Sequence, residues 1–157
     1  MKSIVCFYVF CIVQLIACGC ASNTSVKGSP YKSATFTYST DTKITSYKEE
    51  YLKAISDHLL KATSAFVSGK GDLHIVPTCD PDGLQVKSTI TSLNMPSMKK
   101  GEYANITITG EFIKCGSAEI LGTFYQHEDG KNATEELDMI ARDIVSDVYK
   151  FIYSTIK

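Results

Sequence analysis

Beyond residue 33 the chain alternates between two hydrophobic periods. Phe36 and Tyr38 alternate with Thr35 and Thr37 over 34–39, the period of a half-buried strand with one apolar and one hydroxylated face. The period then lengthens. Leu52, Ile55, Leu59, Ala62 and Phe66 recur at helical spacing and predict a helix from Ser46 to about Val67. Ser46 and Glu49 form a capping-box pattern at its start, Lys53, Asp57 and Lys61 line its polar side, and Gly69 and Gly71 stop it. Leu73-His74-Ile75-Val76 predicts a short strand, followed by Pro77 and the turn-rich 78–83.

Period two then returns three times. Leu84, Val86 and Ile90 alternate with Gln85, Lys87, Thr89 and Thr91. Ile106, Ile108 and Phe112 alternate with Asn105, Thr107 and Thr109, and Ile120, Gly122 and Phe124 mark a further strand. These three predict an antiparallel meander packed on one side. A last helix opens at Asn132, with Glu135 three residues on, and carries Leu137, Ile140, Ala141, Ile144, Val148, Phe151 and Ile152 on a broad apolar face. Glu135, Glu136 and Asp138 sit near its positive end and Lys150 and Lys157 near its negative end. Such a face suits packing on a sheet. The order predicts an α+β two-layer sandwich, with two helices on one face of a mainly antiparallel four- to five-stranded sheet and a Thr/Ser-rich face open to solvent. A right-handed crossover through the first helix would make the first strand parallel to a neighbour.

The N-terminus follows neither period. Ile4 to Ala17 is an apolar run behind Lys2, the length of a signal-peptide core and short of the roughly 20 residues of a membrane span. Its close, Leu15-Ile16-Ala17-Cys18, resembles the lipobox of bacterial lipoproteins. That resemblance implies cleavage before Cys18 and acylation of Cys18, an anchor that needs no other hydrophobic segment. Gly19 follows where inner-membrane lipoproteins of enterobacteria carry an aspartate, so the resemblance implies an outer-membrane address, with the domain facing the periplasm or the cell surface. The competing reading is an ordinary secretory leader cut near Cys20 or Ala21, to which the sequons at Asn23, Asn105 and Asn132 would belong. The expected organisation is 1–17 signal, 18–33 Ser/Asn/Gly-rich tether and 34–157 a single domain.

Of 16 basic side chains only Lys2 leaves with the leader, so 15 face 17 acidic ones and the mature chain is slightly acidic. That argues against nucleic acid as a partner. Of six cysteines, Cys6 and Cys11 leave with the leader and Cys18 carries lipid, leaving Cys20, Cys79 and Cys115. Export favours a disulfide. In a meander the start of the Leu84 strand lies at the same end as the turn holding Cys115, and Cys79 sits just before that start. The expected pair is therefore Cys79–Cys115, with Cys20 free, lipid-adjacent or paired between molecules.

No Gly-x-Ser-x-Gly setting, zinc helix or Walker loop occurs in the chain. Gly69-Lys70-Gly71-Asp72 reads as a helix stop and Asp80-Pro81-Asp82-Gly83 as a tight turn. His58 on the charged side of the first helix, His74 in a short strand and His127 in the loop before the last helix lack ligand spacing, so no metal and no cofactor are expected. The tyrosines suit a core edge and an interface equally. The element order resembles small β-α-β-β-β-α outer-membrane lipoproteins, one group carrying a Gly-Asp like Gly71-Asp72 and a segment like Ile140-Ala141-Arg142-Asp143-Ile144. It also resembles the lipopolysaccharide-assembly lipoproteins, although no basic patch for lipid A phosphates is evident. The expected function is a non-enzymatic, lipid-anchored binding or assembly module that docks an envelope protein of a secretion, pilus or outer-membrane machine through its hydroxyl-rich face or an edge strand. The alternative is a carrier of a lipid-like ligand, with a pocket lined by Phe36, Ile55, Phe66, Ile108, Phe112 and Phe124.

Overall fold

The computed structural model describes residues 29–97 and 100–156; Cys18, Cys20 and the leader lie outside them. In chain order the elements are β1 (Ser33–Thr40), α1 (Glu49–Lys70), β2 (His74–Ile75), β3 (Leu84–Asn94), β4 (Lys100–Lys114), β5 (Glu119–Asn132) and α2 (Ala133–Thr155). The strands form one mixed sheet of order β2-β1-β3-β4-β5. β1 runs parallel to both β2 and β3, and β3, β4 and β5 form the antiparallel meander. Both helices pack on the sheet, giving the α+β sandwich that the two periods predict.

β4 supplies the middle of the core. Its alternate residues Ala104, Ile106, Ile108 and Phe112 are buried against Leu84, Val86 and Ile90 of β3 and Leu137, Ile140, Ile144 and Val148 of α2. Burying each such branched side chain contributes about 1.5–3 kcal/mol. β3 keeps its face through a bulge: the register shifts between Ile90 and Ser92, Thr91 becomes the extra residue, and Leu93 returns to face inward opposite Ile106.

β5 carries a second bulge, and it overturns one expectation. Phe112 pairs with Gly122 but Ile113 pairs with Ile120, so Leu121 is extra and Ile120 swings to the outer side beside Ile113. Ile120 is 57% exposed. β5 is also longer than the Ile120–Phe124 pattern predicts. It runs to Asn132, which places His127 in the strand rather than in a loop. The polar stretch Gln126–Lys131 hides a strand because one of its faces is solvated and the other meets polar groups of α2.

α1 starts at Glu49 rather than Ser46, with Lys48 as N-cap and no side-chain cap. Tyr47 is the reason. Its ring stacks on Tyr51 at 5.6 Å and its hydroxyl accepts a bond from the Met95 amide at 2.9 Å, tying this segment to the end of β3. Gly69 continues the helix, and Gly71 alone ends it at φ 77° with its amide bonded to Val67. The deepest line is Ile55, Leu59, Thr63 and Val67, while Leu52, Ala62 and Phe66 flank it half-buried. Thr63 is tolerated there because its hydroxyl meets that of Tyr38 at 2.6 Å, and burial lifts the Tyr38 phenol to about 12.

α2 starts after Asn132 as its pattern predicts, but its last turn holds no basic residue, and Lys150 pairs instead with Asp147 at 2.9 Å. At the other end of the sheet from the α2 start, Cys79 and Cys115 form a disulfide with Cα atoms 5.5 Å apart. It joins the turn before β3 to the turn after β4. Closing a loop of this span contributes about 4 kcal/mol on the chain-entropy account.

One close approach sets the β4–β5 spacing. A Cβ built on Gly110 would lie 2.0 Å from Cζ of Phe124, whose ring lies over the glycine. Gly110→Ala must push that ring off the strand, and the expected loss is about 1–3 kcal/mol in urea denaturation. Gly69→Ala, with nothing within 4 Å and a helical backbone, should instead gain about 1 kcal/mol. Equal effects at the two sites would remove the Phe124 constraint.

Candidate functional site

The exposed side of the sheet is hydroxylated. Thr37 and Ser39 of β1, Thr89 of β3, Thr109 of β4 and Thr123 of β5 face outward with Lys87, Glu111 and Tyr125, and several of them line a shallow concavity of about 590 Å³. Ser39 meets Thr89 at 3.2 Å, and Thr107 Oγ1 meets His127 Nδ1 at 2.9 Å, so parts of this face are knitted to themselves. Tyr125, 64% exposed, is its most prominent ring.

The edge of the sheet has a different character. β5 pairs with β4 on one side, and among the described residues no strand pairs with its other side. α2 runs back antiparallel to β5, because it follows directly and packs on β4 and β5. The two elements meet through a matched series. Asp143, Asp147 and Phe151 recur every four residues on α2, and Glu128, Gln126 and Phe124 every two on β5. Glu128 faces Asp143 closely enough for the two carboxyls to repel, Gln126 donates from Nε2 to Asp147, and Phe151 stacks on Phe112 at 4.6 Å, which itself lies 5.2 Å from Phe124. A groove of about 410 Å³ opens at the aromatic end, bordered by Phe112, Thr123, Phe124, Asp147, Lys150, Phe151 and Ser154.

Beyond the groove the seam between β5 and α2 is acidic. Burial and the facing Asp143 raise the Glu128 carboxyl above the usual carboxylate range, with Glu136 adding repulsion and His127 opposing it. Glu136, at the start of α2, is buried with its carboxylate over Gly130 and is raised by burial first and by Glu135 and Asp129 after it. Among the described residues no cation pairs with Glu128 or Asp143.

The expected site residues fall apart in space. Cys18 lies outside the described residues, and Cys79–Cys115 staples the end of the sheet. Phe36, Ile55, Ile108, Phe112 and Phe124 are buried together in the core with Phe66 half-buried beside them, so they fill the helix–sheet interface rather than line an opening. Only the edges of Phe112 and Phe124 reach the groove. The histidines are dispersed: His58 meets Asp138 of α2 at 2.8 Å across the helix pair, and His127 stands on the open face. Asp80–Gly83 is a turn closed by the Gly83 amide on the Asp80 carbonyl at 2.8 Å. Among the described residues no cluster of His, Cys, Asp and Glu could hold a metal ion, and no helix is long and apolar enough to cross a membrane. Sequence reasoning missed the groove. Its one advance signal was the i, i+4, i+8 series Asp143-Asp147-Phe151, which carries carboxylates on a helix flank that meets the sheet.

No family model matches the chain, and no curated protein matches it in sequence. Solved structures share its architecture. A hypothetical protein of Chlamydia trachomatis is similar with a TM-score of 0.53 and 6% identity, over 78% of this chain and 99% of that one. The PelC dodecamer from Paraburkholderia phytofirmans gives 0.50 and 9% identity, over 76% of this chain and 89% of that one. A minor lipoprotein of Acinetobacter baumannii gives 0.43 and 10%, over 79% and 94%. The first two establish a shared fold and nothing about activity.

The raised Glu128 carboxyl makes a linkage prediction. The folded chain binds this proton more tightly than the unfolded chain, so stability falls as pH rises through the window above the ordinary carboxylate range and stays depressed beyond it. Glu128→Gln should therefore melt higher than the parent at pH 7, and the difference should vanish below the ordinary carboxylate range, where this group of the parent is protonated in both the folded and the unfolded chain. A gain of equal size at both pH values in calorimetry would point to packing instead.

Proposed function

We propose that this chain is a lipid-anchored, non-catalytic binding and assembly module of the bacterial envelope, attached to the outer membrane through Cys18 and docking an envelope protein along the free edge of β5. The observation that carries the docking reading is β5 itself. It is 14 residues long, is paired on one side only among the described residues, and has a groove opening beside Thr123 and Phe124. An exposed edge of that length offers backbone donors and acceptors to an added strand, and neighbouring grooves supply selectivity for its side chains.

Two features support the envelope address. The lipobox-like Leu15-Ile16-Ala17-Cys18 supplies an anchor, and the Cys79–Cys115 bond suits an oxidising compartment. A carrier role is less well supported, because the residues that would line its pocket are packed against one another. Catalysis draws no support from the groove, where Asp147 is held by Lys150 and Gln126 and the Ser154 hydroxyl donates to the Phe151 carbonyl.

The test is site-specific photo-crosslinking of the full-length chain in its native host, with the crosslinker replacing Tyr125 at the edge, Thr37 on the open face or Lys61 on the exposed side of α1. The expected result is one adduct of defined mass from Tyr125, absent from Lys61 and found in the membrane fraction. Cys18→Ser should move the chain out of that fraction. An adduct from Thr37, alone or together with one from Tyr125, would transfer docking to the hydroxylated face, an adduct of twice the chain mass would make the partner a second copy, and no adduct at either site would overturn the docking reading.

A further inference from the structure

Resting on the docking reading above, we propose that the cleft between β5 and α2 takes an extended protein segment that pairs with β5 and carries an apolar side chain and a Lys or Arg four positions apart. Phe124, Gln126 and Glu128 share the helix side of β5, so an added strand presents its alternate side chains over that same line. The residue opposite Phe124 drops into the opening bordered by Phe112, Phe124 and Phe151. The residue two positions away passes Gln126, which is already occupied by Asp147. Four positions away, about 13 Å along a strand, the added side chain reaches Glu128 and Asp143.

Charge complementarity selects the cation. Glu128 and Asp143 face one another between β5 and α2 with Glu136 nearby, and Lys150, the basic residue beside the groove, is already held by Asp147 at 2.9 Å. An ammonium or guanidinium placed there relieves the repulsion between two facing carboxylates. The same charges disfavour a second copy as occupant, because β5 brings Glu128 and Asp129 to its own edge and its one basic residue, Lys131, lies on the opposite face from Glu128. The spacing of four is fixed by the strand period. A separation of three or five would put one of the two side chains on the outer, hydroxylated side.

The probe is a blocked, fluorescein-labelled peptide Thr-Thr-Phe-Thr-Val-Thr-Lys-Thr-Thr, titrated by fluorescence anisotropy into the full-length chain in detergent. Binding should weaken at least tenfold when the lysine becomes glutamate, and also when it is moved one position toward the phenylalanine. Glu128→Gln combined with Asp143→Asn should weaken the parent peptide at least tenfold while the variant keeps its melting transition. Hydrogen exchange should slow at β5 amides in the complex and not at β1 amides. Equal affinity for the two lysine positions would reduce the effect to net charge and overturn the proposal, as would unchanged exchange at β5. A chain that gives the Tyr125 adduct in cells but ignores the peptide leaves edge docking standing and removes the motif. Loss of both removes both.

Discussion

The ring of Phe124 over the bare backbone of Gly110 sets the rest of this structure. Without a side chain at 110 the ring lies flat across β4, close enough for Phe112 to bridge it to Phe151 through two aromatic contacts of 5.2 and 4.6 Å. That stack draws the last turns of α2 onto the start of β5. Gly122 is under no such constraint, since a Cβ there would make ordinary contact with Phe112 at 3.5 Å and with Phe151 at 3.7 Å. With the aromatic end closed, the polar end of α2 is left facing the rest of β5. The cleft is thus a by-product of one glycine that lets three phenylalanines pack.

Much of the fold is legible in the sequence because two clear periods alternate along it. The strands of the meander and both helices follow from where leucine, isoleucine and valine recur, and the parallel placement of β1 follows from the crossover through α1. Three failures have separate physical causes. Ser46 has the chemistry of a cap, but Tyr47 is worth more to the fold stacked on Tyr51 and bonded to Met95 than in a helical turn. Ile120 obeys the alternation on paper, yet one extra residue at Leu121 reverses the side it faces. The second half of β5 has no apolar face, because the groups it meets on α2 are Asp143 and Asp147 rather than leucines. Hydrophobic periodicity cannot report a strand whose inward neighbours are polar.

The candidate site was least legible for the same reason. It is made by a relation between α2 and β5 that exists only once the chain has turned back on itself. The outward threonines were visible residue by residue, but not that Thr107 would be committed to His127 or Ser39 to Thr89. Nor could spacing show that the one candidate pocket would be consumed by packing. The disulfide was readable because it depends on topology alone: in a meander, alternate strand ends coincide, and the cysteines stand at one such end.

A long free edge is ordinarily a hazard, since any strand can add to it. β5 carries three features that restrict what adds. The Leu121 bulge breaks the regular ladder at one end, leaving Gly122 onward as the usable register. The Phe124–Phe151 opening rewards an apolar side chain at one position only. The acid pair at Glu128 and Asp143 penalises any strand that buries it without bringing a positive charge, because desolvating two facing carboxylates costs more than the backbone bonds of a few residues return. Proteins commonly place charge on an edge to keep it unpaired. Here the charge stands four residues from an apolar opening on the same face of the strand, and that separation would turn a guard against indiscriminate pairing into a requirement on the sequence of any strand admitted there.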